Sequence, residues 1–174
     1  MLFRSSIGLS LLGIMLYVAF RFEIGYGIGA VVSTVHDVLM TIGIFVLTDR
    51  QFTAPMVGAI LLIVGYSIND TIVVFDRIRE NLARHAGAPF SDIVNHSVVQ
   101  TLGRSLNTTV TVLMTLLALL VFAGGSIRVF VLALFVGILS GTYSSIFNAS
   151  PLLVWWEERS QARAASREIG RAHV

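Results

Sequence analysis

Long apolar segments alternate with short polar ones along the whole chain. Five of these segments approach the roughly 20 residues that an α-helix needs to cross a bilayer. Named A to E, they are residues 5–20, 24–47, 54–75, 106–122 and 129–156. The pattern predicts an all-α fold, a polytopic transmembrane helix bundle with five spans that occupies residues 1–156.

The composition agrees with a membrane location. Of the 174 residues, 55% are hydrophobic and 13% are charged, whereas soluble domains carry roughly 25% charged residues. The excess apolar surface is therefore expected to face lipid. The chain has no cysteine, which excludes a disulfide framework and a thiolate metal site.

The arginines predict the orientation of the spans. All twelve basic residues are arginine, and nine of them lie on one side: in the A–B loop, in the C–D loop, at Arg104 just before span D, and in the C-terminal tail. The other three are Arg4, Arg50 and Arg128. The positive-inside rule places the C–D loop and the tail, residues 157–174, in the cytoplasm, and the start of span A outside, which suggests a missing upstream span. Because the basic residues are spread over several loops, we expect lipid contact and no nucleic-acid binding.

The C–D loop, residues 76–103, is the long connection of the chain. Residues 76–84 are predicted to continue span C as a charged helix, which Gly87 and Pro89 then break. Ser91 is a candidate N-cap for a second, amphipathic helix at residues 92–103, lying on the cytoplasmic membrane surface. The alternative is that this segment is only a connector.

The chain ends in residues 168–174, EIGRAHV. This string matches the translation of a common sequencing-adapter read-through, and we interpret it as a scar. A genuine disordered tail is the alternative, and neither interpretation assigns these residues a function.

Two carboxylates lie within the predicted spans. Asp37, with His36 beside it, lies near the middle of span B, and Asp70, with Asn69 beside it, lies in the cytoplasmic half of span C. An aspartate at the centre of a membrane helix costs roughly 2.5 to 3.5 kcal/mol, so each is a candidate functional residue with a partner to be found. His36 is either a hydrogen-bonded interior residue or a member of a proton relay.

Spans D and E carry the candidate partners of Asp70. From a rise of 1.5 Å per residue, Asp70, Asn107 and the segment from Ser144 to Asn148 fall roughly 4 to 10 Å from the span midpoints toward the cytoplasm. Arg104 lies about one turn further out, within reach of Asp70. We expect these groups to share one interior face. A static ion pair is the alternative to a proton-binding carboxylate whose proton affinity is switched by the approach of Arg104.

Four stretches of the chain resemble the SecF family of protein-export membrane proteins. The most specific is GYSINDTIVVFDRIREN at residues 65–81. VHDV at 35–38, TLGRSLNTT at 101–109 and GTYSSIFNASPLL at 141–153 extend the resemblance over residues 1–160. Ser105 stands where that family usually has threonine.

The resemblance implies both a fold and a function. It implies a fold similar to the resistance-nodulation-division transporters, with spans A to E matching the family's spans two to six, and with the first span and a periplasmic domain absent. It also implies a multi-pass subunit of the cell inner membrane that acts with SecD and the SecYEG translocon. Such a subunit uses the proton-motive force to export preproteins, and Asp70 and Arg104 match the family's proton pathway.

Two other function classes stay open. One is a proton-coupled exporter of the same superfamily, and the other is a scaffold subunit without proton coupling. The sequence shows no nucleotide-binding loop, catalytic triad or metal-ligand cluster, so we expect no enzymatic activity, no metal and no cofactor other than the proton gradient.

Overall fold

The computed structural model describes residues 24–85, 87–122 and 124–172, together with the isolated positions Leu9 and Gly13. This part of the chain is helical and contains no strand. The elements are α1 (Ile24–Leu47), α2 (Ala54–Arg84), α3 (Phe90–Phe122), α4 (Gly125–Ser144), the π-helical segment π1 (Ser145–Ala149) and α5 (Ser150–Ala172).

Four helical segments in the described part are long and apolar enough to cross a membrane: Gly25–Leu47, Ala54–Arg84, Phe90–Phe122 and Ile127–Arg163. They contain the predicted spans B to E, so the helical bundle is confirmed for these four. Predicted span A, residues 5–20, lies almost wholly outside the described residues, and the fifth span therefore stays a prediction.

Helix α2 shows how local sequence sets the helix ends. Thr53 precedes it with an extended backbone, φ −106° and ψ 160°, and Pro55 occupies the first turn, where a missing N–H has no cost. The helix continues through its charged end to Arg84, as predicted. Gly87, with φ 108°, then adopts a left-handed conformation that favours glycine and turns the chain into α3.

The prediction of a separate interfacial helix at residues 92–103 is wrong, because α3 runs without a break from Phe90 to Phe122. Gly103 in its middle costs only about 1 kcal/mol. The predicted loop of residues 76–103 therefore reduces to a short turn. Ser91 is not the N-cap, since the first helical amides donate to the carbonyl of Pro89.

Polar contacts explain why the start of α3 packs along the end of α2. Asn81 is buried and donates from Nδ2 to Ser97 Oγ at 2.8 Å and to Gln100 Oε1 at 2.9 Å. Arg77 Nε also donates to Gln100 Oε1, at 2.6 Å. These bonds offset the cost of burying an amide, so the two helices form one hairpin that extends beyond the apolar spans.

Span E is helical but not uniform. Between α4 and α5 lies π1, five residues with π-helical hydrogen bonding, a conformation that accounts for well under 1% of residues in proteins. Helix α5 continues past the predicted span end at residue 156 as far as Ala172. The backbone of the tail is thus helical as far as the structure describes it, to residue 172, and the interpretation of residues 168–174 as a scar stays a prediction.

Two apolar clusters at opposite ends of the bundle enclose a polar layer. The cluster near the α2–α3 turn includes Tyr26, Phe75, Ile78, Val94 and Leu153. The other includes Phe45, Met56, Ile63, Leu116 and Val131. Between them lie the buried polar side chains that we call the polar layer: Asp37, Ser67, Asp70, Ser105, Thr109, Thr142, Ser144 and Ser145.

Candidate functional site

Asp37 is the most deeply buried carboxylate of the polar layer, with 0% of its surface exposed. Its Oδ2 accepts hydrogen bonds from Ser67 Oγ at 2.6 Å and Ser144 Oγ at 2.7 Å, and its Oδ1 accepts one from Ser140 Oγ at 2.9 Å. His36 Nδ1 lies 3.2 Å from Oδ1. One carboxyl group thus joins α1, α2 and α4.

Asp70 is the second carboxylate of the polar layer and is 8% exposed. Its Oδ1 accepts a hydrogen bond from Ser105 Oγ at 2.7 Å, and its Oδ2 accepts one from Ser145 Oγ at 2.6 Å. These serines lie on α3 and at the start of π1. Asp70 therefore joins three elements of the bundle through hydroxyl groups.

Hydroxyl partners suit a carboxyl group that gains and loses a proton. A serine carries one O–H donor and two acceptor lone pairs, so it can donate to a carboxylate or accept from a protonated acid. Ser145 Oγ also lies 3.1 Å from the Thr142 carbonyl, and Ser144 Oγ lies 3.2 Å from the Gly141 carbonyl. Each hydroxyl hydrogen therefore has a second acceptor if its carboxylate becomes protonated.

The structure does not bring Arg104 to Asp70. The Arg104 side chain is exposed, and no ion pair within 4 Å joins the two among the described residues. The reason is helical geometry, since neighbouring residues point about 100° apart and it is Ser105 that faces Asp70. Arg104 instead lines a surface cleft of about 350 Å³ with Asp76 and Glu80.

The remaining predicted site residues are divided between the interior and the surface. Ser144 is buried but contacts Asp37, and its neighbour Ser145 takes the expected place beside Asp70. Asn148 is half-buried in π1, whereas Asn69 and Asn107 are exposed. The expectation of one interior face shared by Asp70, Arg104 and Asn107 is therefore wrong for this chain.

Sequence reasoning missed three of the hydroxyl donors. Ser67 lies within the GYSINDT motif, Ser140 lies four residues before Ser144, and Ser105 is the position that departs from the resembled family. Ser140 and Ser144 are four residues apart and therefore lie on one helical face. This spacing is the feature of the sequence from which Ser140 could have been predicted. A further hydrogen bond of 2.7 Å joins Thr109 and Thr142, and it extends the polar layer between α3 and α4.

No group of three His, Cys, Asp or Glu side chains placed to hold a metal ion occurs among the residues that the structure describes. Each of the two carboxylates of the polar layer contacts hydroxyl groups from different helices and does not contact the other carboxylate. The arrangement can hold or release a proton and can link that event to helix position.

A family model describing the C-terminal region of the protein export membrane proteins SecD and SecF matches residues 4–159. The chain belongs to the SecD/SecF family. The SecF translocase subunit of Thermobaculum terrenum is 52% identical in an alignment 171 residues long that covers 93% of this chain and 54% of that protein. The resemblance to SecF is thereby confirmed.

A SecD/SecF protein of known structure has the same fold. The crystal structure of SecDF in a super-membrane-facing form is 46% identical and superposes with a TM-score of 0.85, covering 90% of this chain and 22% of that one. The SecDF translocase subunit of Thermus thermophilus is 48% identical over 92% of this chain. The chain spans about half or less of the length of these relatives, and it is a multi-pass membrane protein of their family.

Proposed function

We propose that this chain forms the transmembrane part of a Sec translocation subunit that couples the proton-motive force to the export of preproteins. It acts as a transport subunit without enzymatic chemistry or a bound cofactor. The observation that carries the proposal is Asp70, buried within an apolar bundle and held by hydroxyl groups of Ser105 and Ser145. Its family consists of protein export membrane proteins.

The energy available from a proton fits a change of helix packing. Moving one charge through 100 mV is worth about 2.3 kcal/mol, and a few kcal/mol is enough to shift the populations of two conformations. Protonation of Asp70 turns a hydrogen-bond acceptor into a donor. The hydroxyl group that faces the protonated oxygen, Ser105 on Oδ1 or Ser145 on Oδ2, must then turn its hydrogen away. In this proposal, that is the step at which the proton changes the bundle.

We propose that Arg104 controls the release of this proton. Its neighbour Ser105 already touches Asp70, so a rotation of α3 by about 100° would exchange the hydroxyl for the guanidinium. A nearby guanidinium favours the ionised carboxylate. The cleft beside Asp76 and Glu80 is then the position of Arg104 in the state that holds the proton.

Exposed polar side chains on α2 and α3 favour SecD as the partner of this chain. Asn69, Arg104 and Asn107 are exposed on α2 and α3 at the level of the polar layer, and side chains of this kind are costly to leave facing lipid. Relatives named SecDF match the same segment. We propose that helices of SecD cover this face, and that the pair acts with SecYEG on exported preproteins.

A transport assay tests the proposed function. Residues 4–159 would replace the matching segment of the Thermobaculum terrenum SecF, and the chimaera would be placed with SecD and SecYEG in inverted vesicles. Acidifying the vesicle interior should accelerate the completion of preprotein translocation, and a protonophore should remove the acceleration. Stimulation by the chimaera that does not depend on the gradient would identify a scaffold subunit instead.

We also propose that the chain lies in the cytoplasmic membrane with the α2–α3 turn and the C-terminus in the cytoplasm, as the arginines indicate. Because the chain has no cysteine, single cysteines can report the topology. Ala88→Cys, in the exposed turn, should react with an impermeant maleimide only after the membrane is permeabilised. Gln51→Cys, in the exposed α1–α2 loop, should react without permeabilisation, and the reverse pattern would contradict the orientation.

A further inference from the structure

Two adjacent serines connect the two carboxylates of the polar layer. Ser144 is the last residue of α4 and donates to Asp37 Oδ2 at 2.7 Å. Ser145 is the first residue of π1 and donates to Asp70 Oδ2 at 2.6 Å. Both side chains are fully buried. Two residues joined by one peptide bond thus donate hydrogen bonds to carboxylates on two different helices, Asp37 on α1 and Asp70 on α2.

The backbone at this point is the irregular part of span E. A π-helical turn contains one residue more than an α-helical turn, and such turns frequently occur at functional sites. The carbonyl of Ser145 accepts a hydrogen bond from Ser150 Oγ, five residues further on, at 3.4 Å. A shift of this backbone that withdraws Ser145 from Asp70 therefore also moves Ser144, its covalent neighbour.

Neither hydroxyl has to remain on its carboxylate. Ser145 Oγ can turn toward the Thr142 carbonyl at 3.1 Å, and Ser144 Oγ can turn toward the Gly141 carbonyl at 3.2 Å. Because a buried donor retains a hydrogen-bond partner in either position, the change avoids the cost of an unsatisfied polar group. The pair can therefore occupy two arrangements.

We propose that Ser144 and Ser145 are positioning residues that couple the two carboxylates, so that neutralising Asp70 loosens the hydrogen bonding of Asp37. The inference rests on the proposed proton coupling, since a proton on Asp70 is what would operate the pair in the cell. Asp37 is then a second carboxyl group of the same proton pathway, and hydroxyl groups rather than an ion pair link it to Asp70.

Among the residues that the structure describes, few ionisable groups face this pair. His36 lies beside Asp37 on α1, Tyr66 on α2 approaches Thr109 at 3.4 Å, and Arg104 on α3 points to the surface cleft. Helix α4 and π1 contribute hydroxyl groups to the two carboxylates, and their tyrosine, Tyr143, is exposed and stacks on Phe147. Neutralisation of Asp70 is therefore communicated to Asp37 through the serines.

Infrared difference spectroscopy of the full 174-residue chain in lipid vesicles tests the inference. The band of the Asp37 carboxyl group is assigned by its loss in Asp37→Asn. Asp70→Asn, which imitates the neutral acid, should shift this band because the hydroxyl of Ser144 leaves Asp37. In Ser145→Ala the band should already be shifted, and adding Asp70→Asn should produce no further shift.

Ser105→Ala is the matched control, because it removes the other hydroxyl bound to Asp70 and leaves Ser145 in place. In that background Asp70→Asn should still shift the Asp37 band. An Asp37 band that is unchanged by Asp70→Asn, or an equal shift in the presence and absence of the Ser145 hydroxyl, would overturn the coupling. These outcomes do not depend on transport, so they are separate from failure of the vesicle assay.

Discussion

Asp70→Asn in the complete chimaera is expected to abolish the acceleration of translocation by a proton gradient. The asparagine keeps the size of the side chain, and its carbonyl oxygen can accept from one of the two serines while its amide group donates to the other, so the bundle should still assemble. It cannot ionise, which leaves the site permanently in the neutral form. The measurement is the rate of preprotein completion in acid-loaded vesicles, and the stimulation should fall to the level seen with protonophore.

The ATP-dependent start of translocation should be unaffected by Asp70→Asn, because that step does not use the gradient in the proposed scheme. Asp49→Asn is the matched control. It removes a carboxylate from an exposed position in the α1–α2 loop, away from the polar layer and from the cleft that holds Arg104. Full gradient dependence in Asp70→Asn would make Asp70 a structural residue, and Asp37 would become the leading candidate for the titrating group.

Gly137→Ala should destabilise the bundle by about 1–3 kcal/mol, the typical cost of overpacking a core. Gly137 is buried on α4 where that helix packs against α2, and an added Cβ would overlap the side chain of Ile63, lying 2.9 Å from its Cγ2 and closer to two other carbons. Ile63 is itself 1% exposed, so it has little room to move. The measurement is the unfolding equilibrium of the purified chain in mixed detergent micelles.

A compensating substitution at Ile63 and a control substitution at Gly65 test whether the loss of stability in Gly137→Ala comes from the contact with Ile63. Ile63→Ala should restore part of the stability lost in Gly137→Ala, because it removes the atoms that the new methyl group meets. Gly65→Ala is the control, since nothing lies within 4 Å of its Cβ position. That change should leave the stability equal or raise it by up to about 1 kcal/mol, as alanine is the better helix former. Equal losses at both glycines would refute the packing explanation.

The helical spans were predictable because they depend on local sequence. The sequence predicts a helix at residues 24–47, which forms as α1, and it also predicts the charged continuation of α2 to Arg84. The break expected between residues 92–103 and span D does not exist, since α3 is continuous, and contacts of Asn81 with Ser97 and Gln100 hold its first part along the end of α2. Such contacts between helices cannot be read from periodicity.

The positions of Asp37 and Asp70 within apolar spans can be predicted from the sequence alone, because a charged residue stands out in a hydrophobic segment. The hydrogen-bond partners of these aspartates depend instead on how the helices pack. Spacing along the chain gives the depth of a residue in the bundle but not its rotation about the helix axis, and one residue changes that rotation by about 100°. For this reason Ser105 rather than Arg104 contacts Asp70, and Ser144 contacts Asp37 while Ser145 contacts Asp70.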